Sequence, residues 1–261
     1  MRSPSPSLDV LETVTRRQDL LSSLADGPRG KRELVDHLEC SRSTIDRAVR
    51  ELEWLEFIRR DDGVYRLTAA GRLALSEHRR SVSVFESIGE VSPLLREIPR
   101  DAPMSTSFLE DADVTEPPQH APNEPLQQLA WYLDRADRIR VSTTAERLPQ
   151  LRQRLYERTI DGTLDAELLV TGDLAEFICT EYPGQVRDVV LDGGVDFYVV
   201  DSLPYELTIV DLPTESRVFL FVLQESEIKA VIENDTRDAI EWADEVYRRF
   251  RARATDLSPP G

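Results

Sequence analysis

The chain has 261 residues, 40% of them apolar, which is enough to build a core in each of two ordinary domains. The excess negative charge behind the formal net charge of -17 lies in residues 81–261, which carry 35 Asp and Glu against 17 Lys and Arg. Residues 1–80 carry 14 Asp and Glu against 15 Lys and Arg. The acidity of the whole chain therefore does not exclude nucleic-acid binding by the first part. No run of about 18 apolar residues occurs, which argues against a membrane span.

The first part of the chain is predicted to contain three helices, a hairpin and a fourth helix, after a loose Ser/Pro-rich tail. Apolar residues at helical spacing predict helices over 8–26, which Gly27 and Pro28 end, over 31–40, and over 42–56, which Ser41 caps. The stretch FIRRDDGVYRL then changes period, and Asp62-Gly63 predicts a two-residue turn between short strands. Thr68 begins the fourth helix, with Leu73, Leu75, Val82, Val84, Phe85 and Ile88 as its apolar set.

A proline-rich segment separates the two parts. Residues 99–125 contain six prolines and cannot continue a helix, so we predict a linker over 91–125. Disorder is one interpretation of this segment. The stretch STSFLEDADVTEP also includes a short extended run that would add an edge strand, and the two interpretations stay open.

The second part alternates strands and helices. Strands are predicted at 138–143, 165–172 and 195–200, with helices between them, followed by three closely spaced strands, YELTIVD, RVFLFVLQ and IKAVIE, and a long final helix. A βαβαβ start implies parallel strands, and the later strands imply antiparallel additions. The predicted fold class is therefore mixed α/β, with a C-terminal α/β domain that has a mixed sheet.

The second part lacks the residues of common catalytic sites. The three histidines, His37, His78 and His120, all precede it, and no GxxxxGK[ST], GxGxxG, GxSxG or HExxH pattern occurs. We expect no catalytic residue, metal or cofactor. Asp201 and Asp211 end strands where α/β proteins often bind ligands, but loop capping explains them too. The glycines of LDGGVDFYV precede a strand, which favours a turn over a phosphate cradle.

Residue usage also bears on the source and the cellular compartment. Only Lys31 and Lys229 are lysines among 32 basic residues, which with the acidic surface indicates a halophilic source; a GC-rich genome would also favour arginine. MRSPSPSLDV has no apolar signal region, so a cytoplasmic protein is predicted. Cys40 and Cys179 lack neighbours at ligand spacing, which argues against disulfides and zinc; Cys40 in the helix-helix turn is either redox-active or a small residue in a tight corner.

The third predicted helix has two distinct faces. Ile45, Val49, Leu52 and Leu55 form the apolar face, and the opposite face holds Arg42, Ser43, Asp46, Arg47 and Arg50. Arginine forks fit guanine or phosphate, and hydroxyls such as that of Thr44 at a helix start favour anions. The hairpin adds Arg59, Arg60 and Arg66. The alternative is a solvated face whose arginines pair with Glu51, Glu53 and Glu56.

The stretch LVDHLECSRSTIDRAVRELEWLEFIRR, continued by DGVYRLTAAG, resembles the winged helix-turn-helix module of prokaryotic transcription regulators. The resemblance implies that helix 42–56 lies in the major groove of double-stranded DNA and that a wing at 58–67 touches the backbone. RADRIRVSTTAERLP, LPYELTIVD and DAIEWADEVYRRFRA resemble archaeal winged-helix regulators related to the methanogen filamentation regulator, a group numerous in haloarchaea. That resemblance covers residues 10–255 and supplies no ligand residues.

These observations lead to one main functional hypothesis. We interpret the chain as a homodimeric, DNA-binding transcription regulator with a reader over 8–90 and an effector-sensing or dimerisation domain over 126–255. The alternatives are an enzyme acting on a small substrate in the second domain, with the winged helix as an interaction module, and a structural protein that binds other proteins. Neither the effector nor the target genes follow from the sequence, nor does the choice between activator and repressor.

Overall fold

The computed structural model describes residues 6–118, 120–191, 195–225 and 227–257, and the chain divides into two compact units between Phe85 and Glu86. The first unit has the predicted order of helices and hairpin, with one further short strand. Its elements are α1 (Pro6–Arg16), α2 (Gln18–Asp26), β1 (Arg29–Gly30), α3 (Lys31–His37), α4 (Arg42–Trp54), β2 (Ile58–Asp61), β3 (Val64–Leu67) and the start of α5 (Ala69–Leu95).

One apolar core holds the first unit together. The apolar stripes of the helices meet the inner face of the hairpin, and the core includes Leu21, Leu34, Ile45, Leu52 and Tyr65. The hairpin turns at Asp62 (φ 46°) and Gly63 (φ 85°), both in the left-handed region that a two-residue turn of this kind requires. Strand β1 pairs with β3, so the sheet has the order β1-β3-β2.

Two helices of the first unit differ from their predicted extents. The single helix predicted over 8–26 is divided into α1 and α2 at Arg17, whose backbone is not helical (φ -113°, ψ 14°). The helix predicted from Thr68 continues past Ile88 to Leu95, with Pro93 inside it. Of its predicted apolar set, Leu75 is buried, but Leu73 and Phe85 are 71% and 74% exposed.

The start of α5 packs closely against the loop between α4 and β2. The Oγ1 of Thr68 donates to the carbonyl of Glu56 (2.6 Å) and accepts from the backbone N–H of Gly71 (3.0 Å). A Cβ at position 71 would lie 2.0 Å from the carbonyl oxygen of Phe57. Glycine is therefore required here by a close approach of two backbone segments.

The second unit is built on a mixed sheet. Its elements are α6 (Thr106–Leu109), β4 (Asp113–Thr115), α7 (Glu124–Leu133), β5 (Arg138–Thr143), α8 (Pro149–Ile160), β6 (Asp165–Thr171), α9 (Gly172–Glu181), α10 (Pro183–Leu191), β7 (Val195–Val200), β8 (Glu206–Asp211), β9 (Ser216–Gln224), β10 (Glu227–Asn234), α11 (Arg237–Arg251) and β11 (Thr255–Asp256). Within the described residues the strand order is β11-β7-β6-β5-β8-β9-β10-β4. Strands β5, β6 and β7 are parallel and β8 joins antiparallel, as the pattern predicted.

Apolar side chains cover both faces of this sheet. Successive residues of a strand point to opposite faces; in β9, Val218 and Leu220 belong to one core, and Phe219 and Phe221 to the other. Helix α11 packs on the first face through Ala243 and its neighbours. Helices α7 to α10 contribute the residues that pack on the second face.

The segment predicted as a linker over 91–125 carries packed structure. Val91, Leu94, Ile98, Phe108 and Leu109 are buried in the first of the two sheet cores. The ring of Phe108 stacks on Trp242 with 4.5 Å between centroids, and the Asn234 side chain donates to the carbonyls of Phe108 (2.9 Å) and Glu110 (2.7 Å). The extended run forms β4, an edge strand on β10. Much of this segment thus differs from a free linker because its apolar residues find partners far away in sequence.

Helix α7 was not predicted from the sequence, because the alternating pattern of strands and helices was recognised only from residue 138 onward. Pro125 lies in its first turn, where a backbone N–H would have no acceptor within the helix, so the missing N–H of proline costs no hydrogen bond. Leu126, Leu129 and Leu133 are buried.

Among the helices that the structure describes, none has the length and apolar content needed to cross a membrane.

Candidate nucleic-acid interface

The start of α4 gathers three hydroxyl groups. Ser41 caps the helix, since its Oγ accepts from the backbone N–H of Thr44 (3.2 Å). The Oγ of Ser43 and the Oγ1 of Thr44 lie 2.9 Å and 2.8 Å from the same Ser41 oxygen. A hydroxyl can donate one hydrogen bond and accept two, so Ser43 and Thr44 keep capacity for a further partner.

The two faces of α4 separate as the helical period requires. Ile45, Val49 and Leu52 are buried in the core of the first unit. Arg42, Ser43, Thr44, Arg47 and Arg50 are all exposed. Residues three and four apart are neighbours on a helix, so Ser43, Arg47 and Arg50 follow one line along the outward face.

Two of the three acidic residues of α4, Asp46 and Glu51, are neutralised by cations from other elements. Lys31 Nζ lies 2.6 Å from Asp46 Oδ1, and Arg17 Nε donates to Glu51 Oε2 at 2.9 Å. These contacts, with Lys31 and Arg17 respectively, are the main reason that the pKa values of Asp46 and Glu51 lie below their usual range. The alternative, in which the outward arginines pair with Glu51, Glu53 and Glu56, is not found: Glu51 pairs with Arg17, and neither Glu53 nor Glu56 forms an ion pair among the described residues.

This arrangement leaves the outward arginines available. In the part of the chain that the structure describes, no ion pair is formed by Arg42, Arg47 or Arg50. Their positive charge is balanced only at longer range. A helix face with this composition attracts an anion that approaches from solvent.

The hairpin presents its arginines on two faces. Arg59 and Arg66 lie directly opposite each other in the ladder, and Arg60 lies opposite Tyr65. The Arg60 guanidinium is 6.0 Å from the centroid of the Tyr65 ring, and Arg66 Nε is 3.7 Å from Asp61 Oδ2. Because side chains alternate across a strand, Arg59 and Arg66 share the face opposite to Arg60.

All eight predicted residues are therefore exposed, five on α4 and three on the hairpin. Two contributors were missed: Lys31 and Arg17, which neutralise Asp46 and Glu51. No sequence signal marks them, because each partner lies 15 or more positions away. Strand β1 was missed as well, since two residues carry no measurable period.

The other candidate positions have structural partners or lie outside the described residues. Asp211 accepts hydrogen bonds from Arg140 (2.9 Å) and Ser216 (2.7 Å), as a residue that stabilises a strand end would. Asp201 is exposed and Cys40 is a half-buried free thiol. The paired glycines at 193–194 lie outside the described residues.

Two family models match the chain. The model described as "Methanogenesis regulatory protein FilR1, middle domain" matches residues 122–253, about half of the chain. The model described as "HVO_A0261 N-terminal domain" matches residues 7–89. No curated protein sequence shows a match.

Solved structures show distant likeness only. TrmBL2, described as an archaeal chromatin protein, is 13% identical with a TM-score of 0.46, and the alignment covers 95% of this chain and 99% of that one. NucT from Helicobacter pylori is 11% identical (TM-score 0.43; 56% and 99% covered), and the phospholipase D family member Nuc from Salmonella typhimurium is 14% identical (TM-score 0.39; 56% and 97% covered). With TM-scores below 0.5, these likenesses do not define a function.

Proposed function

The chain belongs to the family of the FilR1 middle domain, and from this premise we propose that it is a sequence-specific, DNA-binding transcription regulator whose first unit reads the DNA. The regulatory description of that family supports the proposal for the second unit. The match of the first unit to an N-terminal domain model agrees with a two-part regulator. Because DNA is the proposed partner, we propose that the protein acts in the cytoplasm.

One observation supports DNA reading most directly. Asp46 and Glu51 of α4 are paired with Lys31 and Arg17, and among the described residues Arg47 and Arg50 form no ion pair, so their charge is available to an external partner. An α-helix fits the major groove of B-DNA, and an arginine fork matches the O6 and N7 acceptors of guanine. We assign base reading to these two arginines.

Phosphate contacts surround this reading face in the proposal. Arg42, Ser43 and Thr44 stand at the N-terminal end of α4, where backbone N–H groups and hydroxyls suit a phosphate oxygen. The hairpin acts as the wing: Arg59 and Arg66 project from one face toward the sugar-phosphate backbone. Arg60 contributes long-range attraction from the other face.

The second unit senses an effector or drives assembly, and the regulator is a homodimer. One recognition helix reads only a few base pairs, and dimers place two readers about 34–36 Å apart on symmetric half-sites. In the first unit, α5 leaves Leu73, Val82 and Phe85 exposed, which is apolar surface that a second copy of the chain would cover. Sedimentation of the full chain tests the dimer.

The proposal is tested by fluorescence anisotropy with a duplex from the promoter of the protein's own gene, because regulators often bind beside themselves. A scrambled duplex of equal length and composition is the control, and both titrations are repeated across a KCl series. We expect tighter binding to the promoter, with affinity falling as salt rises. Equal affinity for both duplexes at every salt concentration would contradict sequence-specific reading.

A further inference from the structure

The second unit contains a cavity of about 150 Å³ that the DNA-reading surface does not explain. It lies between the sheet and helices α7, α8 and α9. Its walls are mainly aliphatic, with Leu126, Leu129, Ile139, Leu155, Leu168 and Phe221 among the lining residues. An engineered cavity of this volume with similar walls binds benzene, so the space suits a small apolar molecule.

One side of the cavity carries charged groups, and one of its carboxylates is fully partnered. Glu206 is buried, and its two oxygens accept from Arg147 Nε (2.8 Å) and Nη2 (2.9 Å). The backbone N–H and the Oγ1 of Thr144 donate to the same carboxylate at 2.9 Å and 2.8 Å. Both oxygens of Glu206 are thus satisfied by donors within the protein.

The second carboxylate of the cavity, Glu146, is only partly satisfied. Its side chain is 8% exposed, and its Oε1 accepts from Arg152 Nε at 3.3 Å and from the Tyr182 hydroxyl at 3.5 Å. Its Oε2 is buried and has no hydrogen-bond partner in the part of the chain described. A buried carboxylate oxygen without a donor is costly, which is why such groups usually mark a missing partner.

The neighbouring cation cannot readily serve this oxygen. The Arg152 guanidinium also donates to Gln185 and lies 3.6 Å from the centroid of the Tyr182 ring. It is held by three groups at once, and its contact with Glu146 is long. A donor from outside the protein is therefore the group that the site lacks.

We propose that this cavity is the effector site and that its ligand is a small apolar amine, whose ammonium group donates to Glu146 Oε2 while its hydrocarbon body fills the aliphatic walls. An ammonium is preferred to a hydroxyl because a hydrogen bond between two charged groups is the stronger kind. The effector role rests on the proposed regulatory function. The binding itself does not, since it needs only the second unit.

The binding is tested by isothermal titration of the full chain with four probes of nearly equal shape: benzylamine, benzyl alcohol, toluene and benzoate. We expect benzylamine to bind at least tenfold more tightly than the other three. Benzyl alcohol or toluene binding as tightly as benzylamine would overturn the ammonium contact. Failure of all four probes would overturn the site, with Glu146 Oε2 then served by water.

Two variants and a control make the test specific to Glu146. Glu146→Gln should weaken benzylamine at least tenfold and leave toluene unchanged, whereas Glu176→Gln, the same change at an exposed position of α9, should alter neither. Arg152→Met should tighten benzylamine, because the carboxylate then loses its internal cation. If Arg152→Met weakens benzylamine while circular dichroism is unchanged, the proposed contact is wrong.

The effector role is tested separately by repeating the promoter titration with saturating benzylamine. A change in promoter affinity of threefold or more supports it, and an unchanged affinity in a protein that binds benzylamine overturns it. If the protein binds no DNA, the proposed function fails while the calorimetric result on the cavity stands.

Discussion

Arg59 and Arg66 face each other across the β2-β3 ladder, so the hairpin holds two positive charges directly opposite one another. Like charges in this position destabilise a hairpin by a few tenths of a kcal/mol to about 1 kcal/mol. Of these two arginines, Arg66 alone has a carboxylate within 4 Å among the residues that the structure describes, Asp61 at 3.7 Å. A hairpin that retains this repulsion is consistent with a wing that uses both arginines on phosphate.

Replacing Arg59 by Thr should therefore stabilise the first unit while weakening DNA binding. We expect about 0.5 kcal/mol of added stability in low-salt urea unfolding, and a salt-dependence slope smaller by about 1 on both the promoter and the scrambled duplex. Arg60→Thr is the matched control, since it removes the contact with the Tyr65 ring and should not stabilise. A destabilised Arg59→Thr would contradict this account of the wing.

If α4 reads the bases as proposed, Arg47→Ala and Arg50→Ala should keep the fold and lose specificity. Exposed arginines contribute little to stability, whereas a bidentate base contact is worth about 1–3 kcal/mol of discrimination. The measurement is the ratio of promoter to scrambled-duplex affinity. Arg248→Ala, in the second unit, serves as control and should leave the ratio unchanged. If both helix variants match the wild-type ratio, α4 does not read the bases.

The ion pair between Arg17 and Glu51 predicts a pH-dependent part of the stability of the first unit. Because pairing lowers the pKa of Glu51 in the folded state, its stabilisation is present above the unfolded pKa of about 4.3 and disappears as the pH falls through the folded value. Glu51→Gln should cost about 1 kcal/mol at pH 7, a figure reduced because the carboxylate is one-third exposed.

The measurement is urea unfolding of wild type and Glu51→Gln from pH 7 down to pH 3, and the difference between the two proteins should shrink as the pH falls. Glu53→Gln, an exposed neighbour on α4, should follow the wild type at every pH. A Glu51→Gln deficit that persists undiminished at pH 3 would show that the loss comes from something other than the ionised pair.

Two glycines of α5 should respond to alanine in opposite directions. The Cβ of Gly71→Ala would meet the Phe57 carbonyl at 2.0 Å, so the backbone must move, at a cost of about 2–3 kcal/mol. Apart from the adjacent residues and the backbone of its own helix, no heavy atom of the described residues lies within 4 Å of a Cβ at Gly89, and alanine there should stabilise the helix by up to about 1 kcal/mol. Thermal unfolding of both variants checks this, and a neutral Gly71→Ala would contradict the close approach.

A fragment that begins at residue 86 should fold better than one that begins at residue 126. The shorter fragment loses Phe108, so the Trp242 ring loses its stacking partner and the Asn234 amide loses two acceptors. Circular dichroism melts of 86–261 and 126–261 compare the two. Equal midpoints would mean that the segment between them contributes nothing to the second unit.

Local patterns were enough to predict most elements of both units. The hairpin around Asp62-Gly63, the Ser41 cap and the exposed arginine face of α4 depend on residues within a few positions of each other. The parallel start of the second sheet follows from strands and helices in alternation. Periods of two and 3.6 residues are local properties of the backbone, so a single sequence displays them.

Only the tertiary structure decided which groups meet over long separations. A proline-rich segment has no period to show that Phe108 is buried under α11, and no spacing reveals that Lys31 and Arg17 neutralise Asp46 and Glu51 of α4. The unpartnered oxygen of Glu146 is invisible in the sequence for the same reason. Burial and pairing depend on chain segments that packing brings together, so the free energy of those contacts cannot be read from any single stretch of sequence.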